Sequence, residues 1–516
     1  MKTSLKNFPI YPILFALYPA LALLATNMGE VLFDAGVRVL VGSLCVGLLI
    51  MAAIWLFFRD LQPAALASAV VLLIGLSYGQ FYSLLRQVQV AGIVLGRHRF
   101  LLPLSVILSV LGIIIARKKP FPTQWTVFLN MTSFILLVFP ALQIGAFYLH
   151  IQTNPDPIQG VNLILEEQDL DQLPDIYYII LDEYPRADIL AEQYHFDNEP
   201  FLTALEDNGF YVARESRSNY AQTELSLASS LNFNYLSFLV PGMDPASEDR
   251  APLWPLIKQN AVMAYLEEAG YSTIAFETGY SWSQVEGADI YLGPSQGVGN
   301  TSVWGLSDFE VMFLRNTALL VLYDARLVLP AFMTPLLERP AREAYDRTEL
   351  ALEELAAIPE LEGPHFVFAH LIVPHPPYVY GEDGEYIGDA YGPDGRLGGE
   401  DELYVHNVEG HRLSVAYINA RLLALLPIWL EQSDVAPIII LQADHGVPFR
   451  SHEDRLSIFN AYYLPANAAS QLYPEITPVN TFRIVLNQVL GTDFPTLEDV
   501  SYFSGYDQPY NFNVVQ

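Results

Sequence analysis

The sequence predicts two parts of different fold class, a helical membrane domain followed by an α/β domain. Long apolar stretches are concentrated in the first 150 residues, which carry ten basic and only three acidic residues. Residues 151–516 instead carry 16 basic and 54 acidic residues. Short apolar runs alternate there with amphipathic segments, which is typical of domains built on a mostly parallel sheet. The predicted boundaries are 1–150 for the membrane domain, 151–172 for a linker and 173–516 for the α/β domain.

Five apolar stretches precede residue 150, and each is near the ~20 residues that a helix needs to cross the hydrocarbon of a bilayer. They cover residues 8–26, 36–58, 62–83, 100–116 and 121–149. A cleaved signal peptide would account for the first stretch alone, but not for the four that follow it. We therefore expect a domain of five transmembrane helices.

Basic residues in the connections predict the orientation of these helices. The positive-inside rule assigns three connections to the cytoplasm, and their basic residues are Lys2, Lys6, Arg59, Arg117, Lys118 and Lys119. Because the number of spans is odd, we expect a multi-pass plasma (inner) membrane protein whose second domain is extracytoplasmic. The third connection disagrees with the rule, since it carries Arg86, Arg97 and Arg99, and its length predicts an interfacial segment.

Charge and cysteine content restrict the possible partners. The acidic field of residues 151–516 repels nucleic-acid phosphates, and Lys258 is the only lysine after Lys119. DNA and RNA binding are therefore excluded. The single cysteine, Cys45, lies in an apolar run and cannot form an intrachain disulfide.

Four short runs are apolar on both faces and rich in β-forming residues, as buried parallel strands are; they are residues 176–181, 272–276, 366–369 and 437–441. Segments 261–269 and 343–358 have the Leu and Ala spacing of amphipathic helices. The glycine-rich stretch 380–402 predicts a loop insertion. The apolar segment 311–330 is by default an ordinary core helix. The alternative is a surface helix that rests against the membrane domain or lipid headgroups.

Polar side chains follow three of the predicted strands, at the ends where ligands bind in such sheets. In chain order they are Asp182, Glu183, His370, His375, Asp444 and His445. Carboxylates and imidazoles at neighbouring strand ends are suitable ligands for Zn²⁺ or Mn²⁺. Ordinary alternatives exist, namely a helix N-cap for Asp182, a turn at 444–446 and buried structural roles for the two histidines.

The segment 218–230 supplies candidate nucleophiles at the predicted start of a helix. Thr223 is the first candidate, and Ser226 is its nearest substitute. A hydroxyl there is useful for phosphoryl chemistry, because the helix dipole and the free N–H groups attract phosphate oxygens. The alternative is that Thr223 is only an N-cap, with Ser226 in the first turn.

Together these motifs resemble the alkaline phosphatase and sulfatase superfamily, and more closely its membrane-anchored branch of lipoteichoic acid synthases and phosphoethanolamine transferases. The matching motifs are Asp-Ile-Tyr-Tyr-Ile-Ile-Leu-Asp182, Gln-Thr223-Glu-Leu-Ser226, His-Leu-Ile-Val-Pro-His375-Pro-Pro and Gln-Ala-Asp444-His445-Gly446. The resemblance implies a five-helix transmembrane domain followed by an exported α/β/α sandwich of the alkaline phosphatase type.

The same resemblance implies the roles of individual residues. One divalent ion, of Mn, Zn, Mg or Ca, would be bound by Asp182, Thr223, Asp444 and His445. Thr223 would also attack phosphorus and form a phospho-threonine intermediate. His375, together with His370, would contact the phosphoryl group or protonate the leaving group. The doublet of Asp182 and Glu183 leaves the first metal ligand open by one residue.

Departures from the resembled family narrow the expected activity. A sulfatase needs a Cys or Ser that is converted to formylglycine, and a threonine cannot be converted in this way. The disulfides usual in phosphoethanolamine transferases are missing, and no full counterpart of a second zinc site is found. We expect a membrane-anchored, metal-dependent phospho-alcohol transferase that acts on membrane lipids, with a phospholipid or envelope glycan as substrate. A phosphodiesterase or phosphatase and an inactive envelope scaffold are the alternatives.

Overall fold

The chain forms two compact units in a computed structural model. The described residues are 8–28, 31, 33–86, 88–90, 93–118, 122–153, 173–294, 306–324, 339–388, 400–447 and 451–515. The first unit consists of Met1–Thr153 and Val303–Pro340, and the second of Asn154–Ser302 and Ala341–Gln516. Of the predicted linker 151–172, only 151–153 is described, and it ends a helix.

The first unit begins with apolar helices and one short hairpin. In chain order its elements are α1 (Tyr11–Thr26), α2 (Phe33–Phe58), α3 (Leu61–Leu76), α4 (Tyr78–Arg86), the antiparallel strands β1 (Gln89–Val90) and β2 (Ile93–Val94), α5 (His98–Lys118) and α6 (Thr123–Thr153). Every predicted apolar stretch is helical here, and the chain is a membrane protein.

Length and hydropathy separate these helices into two groups. The helices long and apolar enough to cross a membrane are Ala35–Phe58, His98–Lys118 and Gln124–Leu149, and α3 with α4 adds a span if the bent pair is counted as one. The helix α1 is apolar but has only 16 residues. Val408–Gln432 meets the same criterion, but it belongs to the second unit. The number of spans therefore stays a prediction.

The second unit is built on a seven-stranded sheet with the order β4-β9-β8-β3-β7-β5-β6. Its strands are β3 (Ile176–Leu181), β4 (Tyr211–Val212), β5 (Ser272–Phe276), β6 (Ile290–Leu292), β7 (His365–Leu371), β8 (Ile438–Ala443) and β9 (Asn460–Tyr463), and β10 (Ser501–Phe503) with β11 (Asn513–Val515) forms a separate hairpin. The pairs between β8, β3, β7, β5 and β6 are parallel, and β9 and β4 are antiparallel. The prediction of a mostly parallel sheet is confirmed, although β4, β6 and β9 were not predicted.

The helices between and after these strands include all the predicted ones. They are α7 (Ala187–Tyr194), α8 (Glu199–Asp207), α9 (Thr223–Ser230), α10 (Leu236–Leu239), α11 (Leu253–Lys258), α12 (Ala261–Glu268), α13 (Asp308–Asn316), α14 (Leu320–Asp324), α15 (Arg339–Ala357), α16 (Glu400–Gln432), α17 (His452–Leu456), α18 (Ala466–Ala469) and α19 (Pro478–Leu490). The predicted loop 380–402 is irregular over its described part to 388, and α16 begins before its end.

Both faces of the sheet are covered, because the central strand β3 buries all of its side chains. Tyr177 stacks on Trp429 of α16, with ring centroids 4.9 Å apart. Its neighbour Tyr178 points to the opposite face and meets Phe482 of α19 edge-on at 4.8 Å. Successive strand residues face opposite sides of a sheet. The contacts of Tyr177 and Tyr178 therefore place α16 on one face and α19 on the other, as in an α/β/α sandwich.

The described residues 306–324 belong to the membrane unit and not to the α/β unit, although they lie within the predicted domain 173–516. Phe309 of α13 is buried with Leu24 and Ile144, and Glu310 forms an ion pair with Arg38 at 2.9 Å. The default interpretation of 311–330 as a core helix of the α/β domain is therefore wrong over the described residues 311–324. The alternative, a helix that rests against the membrane domain, is confirmed there.

The same segment accounts for a break in the predicted stretch 62–83. The stretch is split at Ser77 into α3 and α4, which are bent by 42°. The Ala318 N–H donates to the Gly75 carbonyl at 2.7 Å, and a Cβ at Gly79 would collide with the backbone of Arg315. The bend thus forms where another chain segment contacts the helix backbone, a cause that hydropathy does not reveal.

Candidate active site

The three central strands bring the predicted polar residues to one edge of the sheet. In the parallel register, Leu181 of β3 pairs with Leu371 of β7 on one side and with Ala443 of β8 on the other. Asp182 and Asp444 directly follow two of these residues, so their side chains emerge at the same level. This register brings the two carboxylates to the same edge of the sheet.

Asp182, His370 and Asp444 form a buried group in which one ligand atom of each residue lies within 4.8 Å of the others. His370 Nε2 is 3.2 Å from Asp182 Oδ2. Asp444 Oδ1 accepts hydrogen bonds from the backbone N–H groups of Glu183 at 3.0 Å and His445 at 2.8 Å. The separation of the two carboxylates is therefore compatible with one shared ion.

Two oxygens of this group have no hydrogen-bond partner among the described residues, although both are buried. They are Asp182 Oδ1 and Asp444 Oδ2. An unpaired buried carboxylate oxygen is costly unless a cation or a donor faces it. Carboxylate oxygens with an imidazole nitrogen are a donor set that suits Zn²⁺ or Mn²⁺. The residues present therefore fit a divalent cation.

The charges of the two carboxylates oppose each other. Burial and the negative charge of Asp182 raise the pKa of Asp444 to about 7. Burial also acts to raise the pKa of Asp182, but the charge of His375 and the hydrogen bond with His370 outweigh it and hold that pKa below its usual range. A cation between the carboxylates would remove this repulsion.

Thr223 is the first residue of α9 and is half-buried, whereas the rest of that helix is buried. The predicted helix start is confirmed, but the N-cap is Gln222, so the interpretation of Thr223 as only an N-cap is wrong. The Thr223 Oγ1 atom lies 2.9 Å from His445 Nε2. The hydroxyl is thus both accessible and paired with an imidazole.

His445 is held in one tautomer by its neighbours. Its Nδ1 lies 3.0 Å from the Gly446 carbonyl oxygen, which can only accept, so Nδ1 carries the proton and Nε2 presents a lone pair. Burial and the nearby charge of Arg455 place the pKa of His445 well below its usual value. The Nε2 atom is also 3.2 Å from Asp444 Oδ2. His445 is therefore a neutral acceptor for the Thr223 proton or a neutral metal ligand.

Arg455 of α17 is a site residue that the sequence analysis missed. Its Nη1 donates to Glu183 Oε1 and to the Gly446 carbonyl, both at 2.8 Å. Its Nη2 lies 3.1 Å from His445 Nε2. Because the Glu183 carboxylate is paired with Arg455, Asp182 is the member of the doublet that faces the buried group. No motif around Arg455 indicates these contacts, and the one with Glu183 joins residues distant in sequence.

The two histidines after β7 occupy different places. His370 is buried in the carboxylate group, so the structure places it beside Asp182 and Asp444 rather than at a separate phosphoryl contact. His375 is half-buried, and its Nδ1 lies 2.6 Å from the Pro376 carbonyl oxygen. Burial acts to lower the pKa of His375, but the charges of Asp182 and Glu183 raise it above its usual value. His375 is therefore the more favourable proton donor.

Two other polar residues near the site are buried. Ser226 is 2% exposed, and its Oγ lies 3.1 Å from Ser218 Oγ, so it is not an accessible substitute for Thr223. His411 of α16, which the sequence analysis did not single out, lies 3.3 Å from the Glu183 carbonyl oxygen through its Nε2. Burial lowers the pKa of His411 to about 3. It is a neutral packing residue below the site.

No protein-family model matches the chain, and no curated protein matches it. Solved structures do match it. Lipooligosaccharide phosphoethanolamine transferase A from Neisseria meningitidis is 13% identical, with a TM-score of 0.39, and the match covers 94% of this chain and 95% of that one. The zinc complex of the C-terminal periplasmic domain of EcEptC from Escherichia coli is 14% identical, with a TM-score of 0.39 and coverages of 68% and 98%.

A third match is the lipoteichoic acid synthase LtaP from Listeria monocytogenes, which is 12% identical, with a TM-score of 0.37 and coverages of 64% and 79%. The kinds of protein matched are those that the sequence motifs resemble. At TM-scores below 0.5, these likenesses do not carry a functional assignment, which depends on the site itself.

Proposed function

We propose that this chain is a membrane-anchored, metal-dependent phospho-alcohol transferase with Thr223 as its nucleophile. One observation carries the proposal. The Thr223 hydroxyl is accessible at the start of α9, 2.9 Å from His445 Nε2, and His445 itself adjoins Asp444 of the buried carboxylate group. A hydroxyl, a proton acceptor and a cation site at one helix N-terminus are suited to attack on a phosphate ester.

The proton acceptor is His445. Its Nδ1–H is held by the Gly446 carbonyl, so its Nε2 is oriented to take the hydroxyl proton of Thr223 as the oxygen attacks phosphorus. The new bond joins Thr223 Oγ1 to phosphorus, and the bond from phosphorus to the leaving alcohol oxygen breaks. The product of this step is a phospho-threonine ester. The free N–H groups at the start of α9 and the guanidinium of Arg455 supply positive charge near the phosphate oxygens.

Asp182, Asp444 and His370 would hold the divalent cation, with Thr223 as a further predicted ligand. His445, which the family resemblance implies as a ligand, instead uses its one free nitrogen, Nε2, as the proton acceptor in this mechanism. A cation at this position lowers the pKa of a bound hydroxyl and neutralises charge on a phosphate oxygen. The unpaired oxygens of Asp182 and Asp444 support this placement. The identity of the metal is left to elemental analysis.

His375 is assigned to the leaving group. Its Nδ1–H is bound to the Pro376 carbonyl, and no described residue forms a hydrogen bond with its Nε2. The carboxylates of Asp182 and Glu183 favour its protonated form, so Nε2 donates a proton to the departing alcohol. In the second half of the reaction, an acceptor alcohol gives its proton to His375 Nε2 as its oxygen bonds to phosphorus. The bond from phosphorus to Thr223 Oγ1 breaks, and His445 Nε2–H returns the proton to that oxygen.

The proposed donor is a membrane phospholipid, and the acceptor is a lipid or an envelope glycan. The membrane unit keeps the chain at the bilayer, where the local concentration of lipid headgroups is high. We place the protein in the plasma (inner) membrane with the α/β unit outside the cytoplasm, following the basic connections. An acceptor alcohol gives transfer, whereas water at the same position gives hydrolysis.

The test is mass spectrometry of the protein isolated with its native membranes. We expect a phospho-alcohol adduct on Thr223, whose mass identifies the donor headgroup. The Thr223→Ala variant should carry no adduct, and Thr223→Ser, which keeps the hydroxyl, should retain one. Ser226→Ala is the matched control, because Ser226 is buried and its hydroxyl is hydrogen-bonded to that of Ser218. An adduct that survives in Thr223→Ala would exclude the mechanism.

A further inference from the structure

The third connection of the membrane unit carries three exposed arginines, Arg86, Arg97 and Arg99. None of them forms an ion pair with a carboxylate in the part of the chain that the structure describes. The only contact described for the Arg99 guanidinium is with the neighbouring Phe100 ring, at 4.7 Å. Their positive charges are therefore available to an external anion.

A short hairpin brings two of these arginines together although they are eleven residues apart. The strands β1 and β2 pair through Gln89 with Val94, and below them the Gly96 N–H donates to the Leu85 carbonyl at 3.0 Å. A Cβ at Gly96 would collide with the backbone of Arg86. Arg86 and Arg97 thus leave the base of the hairpin side by side.

His98, the residue between Arg97 and Arg99, is held in place by contacts with both of its ring nitrogens. His98 Nδ1 lies 2.9 Å from the Tyr78 hydroxyl, and His98 Nε2 lies 2.7 Å from Asp324 Oδ2. Its ring also stacks on Tyr82, with centroids 4.5 Å apart. Because both ring nitrogens are engaged within the unit, the start of α5 is held in place. Arg97 and Arg99 on either side of His98 are turned to the exterior.

Exposed apolar side chains surround these charges. Those near the connection include Phe81, Leu84, Val88, Leu95 and Phe100, which are between 36% and 66% exposed. Arginines beside exposed apolar side chains are typical of segments at the boundary between acyl chains and headgroups. The apolar side chains enter the acyl region, and the guanidinium groups remain at the level of the phosphates.

Chain connectivity indicates the face of the bilayer on which this connection lies. The helix α5 ends at Lys118 and α6 begins at Thr123, so only four residues separate these two candidate spans, too few for the chain to cross the bilayer between them. The start of α5 and the end of α6 are then at the same face of the bilayer. The second unit follows α6, so the three arginines are at the face from which the chain leaves the membrane.

We propose that Arg86, Arg97 and Arg99 form a binding site for the phosphate groups of membrane lipids. Guanidinium groups bind phosphate oxygens in a bidentate manner, and each exposed basic residue near an anionic bilayer adds to binding. The occupant is the headgroup of an anionic phospholipid in the leaflet on the side of the second unit. This site deepens the proposed function and rests on it for its purpose, since it collects headgroups for the transferase, but its binding is measured without turnover.

The experiment is native mass spectrometry of the full chain in detergent, titrated with phosphatidylglycerol. The variant Arg86→Gln, Arg97→Gln, Arg99→Gln should bind this lipid about 100-fold more weakly at low salt, given the contribution of each basic residue. The matched control removes three charges at the predicted cytoplasmic end, in Arg59→Gln, Arg117→Gln, Lys118→Gln. We expect the high-affinity binding step to survive in the control. An equal loss in both variants would overturn the site.

Further measurements distinguish binding of the lipid from binding of phosphate alone. Inorganic phosphate should compete only weakly, because the apolar side chains recognise acyl chains; full competition at equal concentration would contradict a lipid site. If the triple variant aggregates, Arg99→Gln alone should weaken lipid binding about five-fold, and unchanged binding there would count against the proposal. Lipid binding is titrated without an acceptor alcohol, so its result does not depend on turnover. Failure of the transferase reaction and failure of the lipid site are therefore distinguishable.

Discussion

The two units use the same kinds of apolar side chain in opposite places. In the first unit, Leu49, Phe57 and Phe139 are each more than 60% exposed. In the second, Tyr177, Phe366 and Trp429 are fully buried. The difference follows from the solvent, because lipid accepts an apolar surface and water does not. The contrast also separates their roles, since the proposed chemistry lies entirely in the unit with the buried apolar core.

Two long helices make this comparison concrete. Both His98–Lys118 and Val408–Gln432 are long and apolar enough to cross a membrane, but the buried share of their apolar windows is 11% in the first and 44% in the second. In Val408–Gln432, Leu422 and Trp429 belong to the core against the sheet. Hydropathy therefore does not distinguish a membrane span from a core helix without the packing around it.

The largest expected effect is a loss of catalysis in the second unit that leaves its folding intact. Thr223→Ala should lower turnover of a phosphodiester by about three orders of magnitude or more, because the nucleophilic oxygen is removed. Its thermal unfolding should be unchanged within about 1 kcal/mol, since the side chain is half-buried at a helix start. Activity is measured with a chromogenic diester and unfolding by calorimetry. Turnover equal to that of Ser226→Ala would remove Thr223 from the mechanism.

The second prediction concerns the two buried carboxylates at the strand ends, Asp182 and Asp444. Asp444→Asn should abolish binding of one equivalent of divalent ion, measured by elemental analysis, and the rise in melting temperature that the ion gives the unaltered chain. Without metal, the variant should be more stable than the unaltered chain, because it removes a charge that Asp182 repels.

The pH dependence has a defined sign. A carboxyl whose pKa is raised in the folded state destabilises that state when it is ionised, so the stabilising effect of Asp444→Asn should be greatest near pH 8 and shrink towards pH 5. Chelated samples of both proteins are compared by thermal unfolding. A variant that binds metal with unaltered stoichiometry would contradict the assignment of Asp444 as a ligand.

These outcomes bear on what the sequence can reveal. The strand ends could be predicted, because apolar runs followed by Asp182 and Asp444 depend only on local pattern. Arg455 could not, because its ion pair with Glu183 joins distant parts of the chain, and its contact with His445, ten residues away, depends on the direction of the side chain. The choice between His370 and His445 beside the carboxylates likewise depends on side-chain direction, which the order of residues does not specify.

The assignment of segment 311–330 to one of the two units could not be predicted for a similar reason, because it depends on contacts with residues far away in sequence. The segment around Phe309 has the composition of a core helix in either unit. Its place is decided by partners such as Leu24 and Ile144, which are far away in sequence. Only the apolar pattern of 311–330 indicated that the segment is buried against something.

The third prediction sharpens the assignment of this segment to the membrane unit. Phe309→Ala should expose 303–340 to limited proteolysis, because burial of a Phe side chain contributes about 3–5 kcal/mol in a packed core. The helices α1 and α2 should remain protected. Met312→Ala, at a partly buried position of the same helix, is the milder control. Equal protection of the segment in Phe309→Ala and the unaltered chain would show that it is held elsewhere.

The smallest expected effect belongs to the ion pair between Arg38 and Glu310. The Glu310 side chain is 10% exposed, but the Arg38 side chain is 51% exposed, so solvent screens the pair from the Arg38 side. Glu310→Gln should therefore cost about 1 kcal/mol, and the cost should fall with added salt. Thermal unfolding at low and high salt provides the measurement. A loss several times larger, or one independent of salt, would mean that the pair is shielded from solvent and contributes more than its exposure indicates.

The position of Phe309 among the membrane helices has a consequence for the order of synthesis. Its partners Leu24 and Ile144 are made early, but Phe309 emerges only after β3 to β6 and before β7 and β8. The membrane unit therefore cannot complete its packing until part of the second unit has been translated, and the central sheet is then still without three of its strands, β7, β8 and β9. Domains usually fold one after another from the N-terminus during translation; here neither unit is finished before the other has begun.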